Sequence, residues 1–304
     1  MALEANAYLT TDAVADNIIP ELYNEELQQW QYEQEALRNL GADVTSRILS
    51  RAGNNLNIYK GTEFQVGALT QGTDTPISEL DFDTVVLTVN EYGDAKQIPL
   101  DTIEDSFEFL VGDLAYGAAN AIAVNNDNVI MTELQNTTED EVYPLNTGTR
   151  RTSANIAATD KFDKEQVTEA RRRMRINNRF LKYLVIHPNQ YKAILDDSDF
   201  ISKENYPTGI LVSASVGTLF GAQVVEHNSV TSVTENTNVT VYIAMAIGED
   251  RAGRQKSFCY GYKRMPVMEW DREFNRKRAL TFHYHYRFGA QIVWDEGIIP
   301  IKSA

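Results

Sequence analysis

Residues 56–98 read LNIYKGTEFQVGALTQGTDTPISELDFDTVVLTVNEYGDAKQI, and a helical pattern of about 35 residues follows directly. Apolar and polar residues alternate along both halves of this stretch: Leu56 and Ile58, then Phe64, Val66 and Ala68, and on the return Val85, Leu87 and Val89. That period of two is the signature of half-buried strands. The far end, Thr70 to Asp81, is a polar turn of Gln, Gly, Thr, Asp, Pro, Ser and Glu with no apolar cluster to fold onto. An isolated two-stranded ribbon is marginal in water at best. A ribbon this long, apolar on one side, needs a surface to lie on, and a neighbouring copy of the same chain supplies one.

Working forward, Asp101 is a good N-cap, with Pro99 ahead of it and Glu104 three residues on. Ile103, Phe107, Leu110, Leu114, Ala118 and Ala121 mark one helical face, and the Gly and Ala residues between 112 and 123 thin the middle of the helix. At 1.5 Å per residue the helix is about 50 Å long, a spine to which other elements attach. Working backward, residues 12–50 read as helix broken once at Pro20, with Leu22, Leu27, Trp30, Leu37 and Leu40 at helical spacing and Gly41 as the stop. The apolar stripe is thin, so this segment reads as an arm.

Beyond the spine, residues 136–160 are turn-rich and read as an exposed connection. An α/β pattern follows: a helix over about 163–177, a strand at Tyr183–Ile186 ending at His187-Pro188, a helix over about 189–196, and strands at Gln223–Glu226 and Val239–Ile247. In the last stretch Leu280, Phe282, Tyr284, Tyr286 and Phe288 alternate with Thr281, His283, His285 and Arg287. With Ile292-Val293-Trp294 and Ile298–Ile301 after it, this predicts a curled antiparallel sheet with one aromatic face, laid against the long helix.

Composition narrows the function. The chain has 304 residues, 43% of them apolar and 23% charged, which is globular. Its 43 acidic and 28 basic residues leave a net charge of −15, which argues against a general nucleic-acid-binding surface. Such a surface suits a wall that encloses polyanions without sticking to them, although ordinary solubility explains the sign equally well. A single cysteine, Cys259, excludes an intrachain disulfide, and its neighbours Phe258 and Tyr260 point to a buried thiol. The first residues lack the pattern of a secretory signal, and the most apolar window, Val239 to Ile247, is far short of the ~20 residues a bilayer needs.

His283 and His285 share a strand face, as in some zinc sites, but a third ligand is missing and His187 and His227 lie on remote segments. Polar-face residues on an aromatic strand are the plainer reading. There is no phosphate-binding glycine loop and no nucleophile elbow, so no cofactor, metal or catalytic residue is assigned. A soluble enzyme is the remote alternative. The one basic run, Arg171, Arg172, Arg173, Arg175 and Arg179, reads as a solvated helix end partnered by Glu165 and Glu169, or as a contact with acidic patches of adjacent subunits. Asp271, Arg272, Glu273, Arg276, Lys277 and Arg278 form a mixed-charge loop before the aromatic strand, either a contact where several subunits meet or a solvated turn.

The order of elements, and several local stretches, resemble the major capsid proteins of tailed double-stranded DNA viruses, the Hong Kong 97 fold. Ile18-Ile19-Pro20-Glu21-Leu22 resembles the family's opening, and Leu184-Val185-Ile186-His187-Pro188 its central strand and turn. Gly217-Thr218-Leu219-Phe220-Gly221-Ala222-Gln223-Val224-Val225, and Arg287 with Phe288-Gly289-Ala290-Gln291-Ile292-Val293, resemble two later segments. The resemblance implies an α+β fold with a 1–50 N-terminal arm and a 51–99 extended loop. A peripheral domain with the spine helix takes 100–136 and 265–304, and an axial domain takes 137–264.

It also implies self-assembly into hexamers and pentamers of an icosahedral shell around double-stranded DNA, located in the virion and assembled in the host cytoplasm. Only about 50 residues precede the ribbon, so a separate scaffolding protein is implied. Portal and decoration proteins are further implied partners, with no membrane. An encapsulin-type compartment shell is the alternative within the same fold. Subunit-contact candidates are Trp30, Tyr59, Lys60, Glu63, Glu79, Asp81, Arg171, Arg172, Arg175, Asp271, Arg272 and Arg276.

Overall fold

The computed structural model describes residues 27–28, 31, 35–50, 52–60, 83–146, 148–196, 217–236, 238–273 and 279–304. The expected strand–helix junction is present. Strand β2 (Asn55–Lys60) pairs antiparallel with β3 (Asp83–Thr88), Leu56 opposite Leu87, as a sheet of two strands; β1 (Ala42–Asp43) and α1 (Thr45–Leu49) precede it. After Val89 comes β4 (Asn90–Pro99), which runs straight into the spine helix α2 (Leu100–Gln135). β4 does not continue the ribbon. It pairs over ten residues with β13 (Ala279–Ile292), from Asn90 opposite Phe288 to Pro99 opposite Ala279. The hydrogen-bonding edge of a long core strand captures the second half of the expected return strand.

The four-stranded sheet has the order β1-β12-β13-β4, with β12 spanning Phe258–Glu273. The expected aromatic face is real: Phe282, Tyr286 and Phe288 are buried, joined by Phe258, Tyr260 and Tyr262 of β12. The spine helix covers this face. Its buried stripe is Ala115, Ala118, Ala119, Ile122, Ala123, Asn126, Ile130, Met131 and Leu134. Ala121, expected on that stripe, is exposed, because the small side chains of the helix settle wherever the large rings beneath leave room. Expectations for Asp101, Ile103, Phe107 and Leu110 concern side chains outside those described.

After the spine come β5 (Leu145–Asn146), β6 (Thr149–Arg150), α3 (Lys164–Ile176), β7 (Phe180–Ile186) and α4 (Pro188–Asp196). Then follow β8 (Thr218–Leu219), β9 (Ala222–Glu226), β10 (Ser232–Glu235) and β11 (Val239–Glu249). The second sheet has the order β10-β11-β7-β9-β8, with β14 (Ile298–Ser303) also paired to β11; β7 and β9 are parallel. Both its faces are buried. Val185, Met245 and Ile247 point into the core under the spine helix, while Leu184, Ile186, Ala244, Ala246, Ile299 and Ile301 pack on Val167, Ala170 and Met174 of α3.

The two sheets cross the expected segment boundaries. Strand β12 begins at Phe258 and runs through 264 without a break, and the final strand belongs to the second sheet rather than the aromatic one. Burial of Ile298 to Ile301, too apolar for a one-faced sheet, decides that placement. Two other expectations are corrected. The connection at 136–160 is partly interior, since Val142, Tyr143 and Ile156 are buried and Val142 bridges Ile301. In the arm, Leu27, Leu37 and Leu40 are buried in this chain's own core.

Candidate assembly surfaces

The ribbon root is anchored from below. Leu56, Leu87 and Val89 join Val44, Ile48, Cys259 and Val293 in one buried cluster, with Ile58 and Trp294 against it. At Gly289 of β13 a Cβ would lie 2.2 Å from the Thr88 carbonyl oxygen, so only glycine lets the β3–β4 junction pass this close. Lys60 bridges Asp83 across the ribbon at 3.4 Å, and its ammonium sits 5.6 Å from the Trp294 ring centroid. The other side of the ribbon carries Tyr59 and Val86, both exposed. One face is thus fixed to the core, and the other presents an aromatic ring to solvent.

The basic run is ordered by one carboxylate. Glu169 of α3 accepts two bonds from Arg172, at 2.8 and 2.7 Å, and one from Arg173 at 3.1 Å, with Arg150 3.6 Å away. The Arg172 bonds, outweighing partial desolvation and helped by Arg173, hold its carboxyl down to about 2. Arg173 also donates to the Asp140 carbonyl, and the Arg175 guanidinium lies over the Phe180 ring at 3.8 Å. Arg179 departs from the solvated reading: it is buried and stacked on Trp294 at 4.3 Å.

The arm segment is held by a buried polar network that the sequence reading missed. Asp127 of the spine helix accepts the backbone N–H groups of Ala36 and Leu37 at 3.2 and 3.1 Å, and lies 2.8 Å from His227 Nε2. Beside it, the buried Glu35 carboxylate accepts bonds from Gln31, Asn126 and Tyr262. Arg38 reaches the same carboxylate at 3.2 Å. The signal was the run Asn125-Asn126-Asp127-Asn128, four polar residues within an otherwise apolar helical pattern. Such residues on a buried face need partners, and here the arm supplies them.

A second interior charge is Lys302 of β14, 2.6 Å from both Glu141 and Glu235 and 3.3 Å from the Tyr143 hydroxyl. Burial alone would lower its pKa, but the bonds to Glu141 and Glu235 outweigh that and raise it. Cys259 is buried as expected, and desolvation pushes its thiol up to about 12. Among the described residues no three His, Cys, Asp or Glu side chains are grouped to hold a metal. His187 stacks on Tyr242, and His227 is committed to Asp127. A groove of about 350 Å³ between α2 and the aromatic sheet is lined by Leu114, Gly117, Ala121, Met268, Phe282 and Tyr284, and its charged residues, Asp94 and Lys96, pair with each other at 3.0 Å.

Of the contact candidates, the structure brings Tyr59 and Lys60 together on the ribbon root and Arg171, Arg172 and Arg175 on α3. Asp271 and Arg272 fall on β12 opposite Thr281 and Leu280, a strand rather than the expected loop, because pairing with β13 continues through them. Trp30, Glu63, Glu79, Asp81 and Arg276, like the ribbon's far end, lie outside the described residues.

Comparison with known proteins agrees with this architecture. Among curated proteins none matches the chain in sequence. The structure superposes on the capsid of cyanophage P-SCSP1u with a TM-score of 0.65 at 15% identity, covering 87% of this chain and 86% of that one. Mycobacterium phage Che8 gives 0.62 at 16% identity, covering 88% and 90%. The capsid of a native GTA particle gives 0.60 at 13%, covering 89% and 90%. At these identities the likeness establishes the fold. A family model described as phage capsid protein matches residues 82–299, from the return strand of the ribbon through the start of β14. The chain therefore belongs to the phage capsid protein family, a shell-forming structural protein with the Hong Kong 97 fold of tailed-phage major capsid proteins.

Proposed function

We propose that copies of this chain assemble in the host cytoplasm into hexamers and pentamers that close an icosahedral shell around double-stranded DNA. The family match over 82–299 carries this reading. The geometry supports it with a ribbon anchored on one face and bearing Tyr59 and Val86 on the other. In this proposal the aromatic sheet with its spine helix forms the peripheral region, and the two-faced sheet with α3 and α4 the axial region. The ribbon lies on a neighbour, and Tyr59, Lys60, Asp271 and Arg272 stand near subunit boundaries. Each contact is modest, and closure multiplies them. Scaffolding, portal and decoration proteins are the partners this role calls for. The DNA is enclosed without sequence-specific contacts, as the net charge of −15 favours.

The test is electron microscopy with light scattering on the purified chain, alone and with its scaffold. Full-length protein is expected to form rings, shells or tubes of regular diameter. Replacing residues 62–81 by a short Gly-Ser turn spares β2 and β3, and is expected to leave a folded protein that forms no shells. Normal shells from that variant would rule out the ribbon contact, and a full-length protein that never assembles would rule out the reading itself.

A further inference from the structure

At the end of α3 the chain reverses through Asn177 and Asn178, the latter in the left-handed region at φ 56°, and re-enters the fold with the buried Arg179. This turn projects Ile176, which at 66% is the most exposed large apolar side chain among the described residues. A single exposed isoleucine needs no explanation. What sets this one apart is its flanks. Arg172 is exposed yet locked by two bonds to Glu169, and Arg175 is exposed yet laid flat on Phe180. Both guanidinium groups have lost much of their side-chain freedom before meeting anything, which lowers the entropic cost of a contact. An exposed apolar side chain beside ordered arginines, a residue type enriched in interface hot spots, suits a subunit contact.

We propose that Ile176, flanked by Arg172 and Arg175, is a knob that seats on a second copy of this chain. The inference rests on the shell reading above and names one of its contacts. Charge selects the occupant: the chain carries 43 acidic against 28 basic residues, so a neighbouring copy offers mostly negative surface to this basic spot. Arg172 and Arg175 repel their own counterparts, so whatever the symmetry the knob meets a different, acidic patch on its neighbour.

Thiol labelling tests this directly. Cys259 is buried with a raised pKa, so in an Ile176→Cys variant the introduced thiol is the reactive one. Maleimide is expected to label it at least about tenfold more slowly in shells containing only this chain than in unassembled protein. Equal rates in the two states would overturn the knob while leaving the shell reading intact. Protection that appears only when another protein is added would overturn it too, since the occupant would then be that protein. Arg172→Glu with Arg175→Glu is expected to keep the far-ultraviolet spectrum and lower shell yield at least about tenfold, whereas Arg172→Lys with Arg175→Lys retains part of it. Unchanged yield from the double reversal would overturn the proposal. Failure of the unmodified chain to assemble at all would remove the shell reading and the knob with it.

Discussion

The two sheets solve the problem of burial in different ways. The aromatic sheet is covered on one side by the spine helix, and Thr281, His283, His285 and Arg287 occupy the alternate positions of β13. A helix lined by Ala115, Ala118 and Ala119 leaves a deep space, which Tyr262, Phe282, Tyr286 and Phe288 fill. Small side chains on one layer match large ones on the other. The second sheet is covered on both sides and is built from Val, Ile, Leu and Ala, with Ala244 and Ala246 beneath α3 and Met245 and Ile247 on the opposite face. The second face of the aromatic sheet is covered only at one end, by α1 and the ribbon root, and its polar remainder can meet neighbours; a two-sided sheet has little to offer except its rim. That difference suits a protein whose partners are copies of itself.

The comparison can be broken at its most loaded point. Phe288 is 1% exposed, and Phe288→Ala is expected to cost about 3–5 kcal/mol in denaturant unfolding, since a helix of alanines cannot collapse into the gap. The comparable truncation in the two-sided sheet, Ile186→Ala, is expected to cost less, about 2–3 kcal/mol, because aliphatic neighbours on both faces can close part of the gap. Equal costs would mean that the rings are not what separates the layers.

The second sheet has its own vulnerable point in Lys302. Lys302→Met leaves the partly buried Glu235 without its cation, and a loss of about 2–3 kcal/mol near pH 7 is expected, tempered by the exposure of Glu141. The sign with pH follows from the raised ammonium pKa. Its contribution is complete below the ordinary lysine value of about 10.4 and is lost as pH rises through the folded value. Thermal melts should show the native protein losing stability above about pH 10 more steeply than the variant. Parallel alkaline limbs would sink the assignment.

The smallest effect is expected on the surface of α3. Glu169 is held down to about 2, so it stabilises the fold above the ordinary glutamate value of about 4.3, and that contribution is lost as pH falls through 2. Glu169→Gln should cost under about 1 kcal/mol at pH 7 and flatten the acid limb between about pH 4.3 and 2. An unchanged acid limb would show that the arginines order one another without it.

Much of this was legible in residue order. The ribbon start, the length of the spine helix, α3, β7, α4 and the aromatic alternation of β13 all follow from local periodicity. The buried stripe of the spine helix did not. In a stretch rich in Ala and Gly the hydrophobic contrast between faces is weak, so Ala121 could be read as core while Ala115 and Ile122 took that place. The basic run was legible as charge, but its division was not: Arg175 rests on Phe180 in solvent while Arg179, four residues on, is buried against Trp294.

By itself the sequence determined most of the elements and their order, though not β12, together with the acidic composition and the family to which they point, because periodicity and composition are properties of neighbouring residues. Tertiary structure alone decided that β4 belongs to the aromatic sheet and β14 to the other, and that Leu37 and Leu40 dock on their own chain. It alone brought Glu35, Asn126 and Tyr262 into one buried network. The strand and network pairings join residues from 51 to 227 positions apart, and which edge or cavity receives a segment depends on what the rest of the chain has left unpaired.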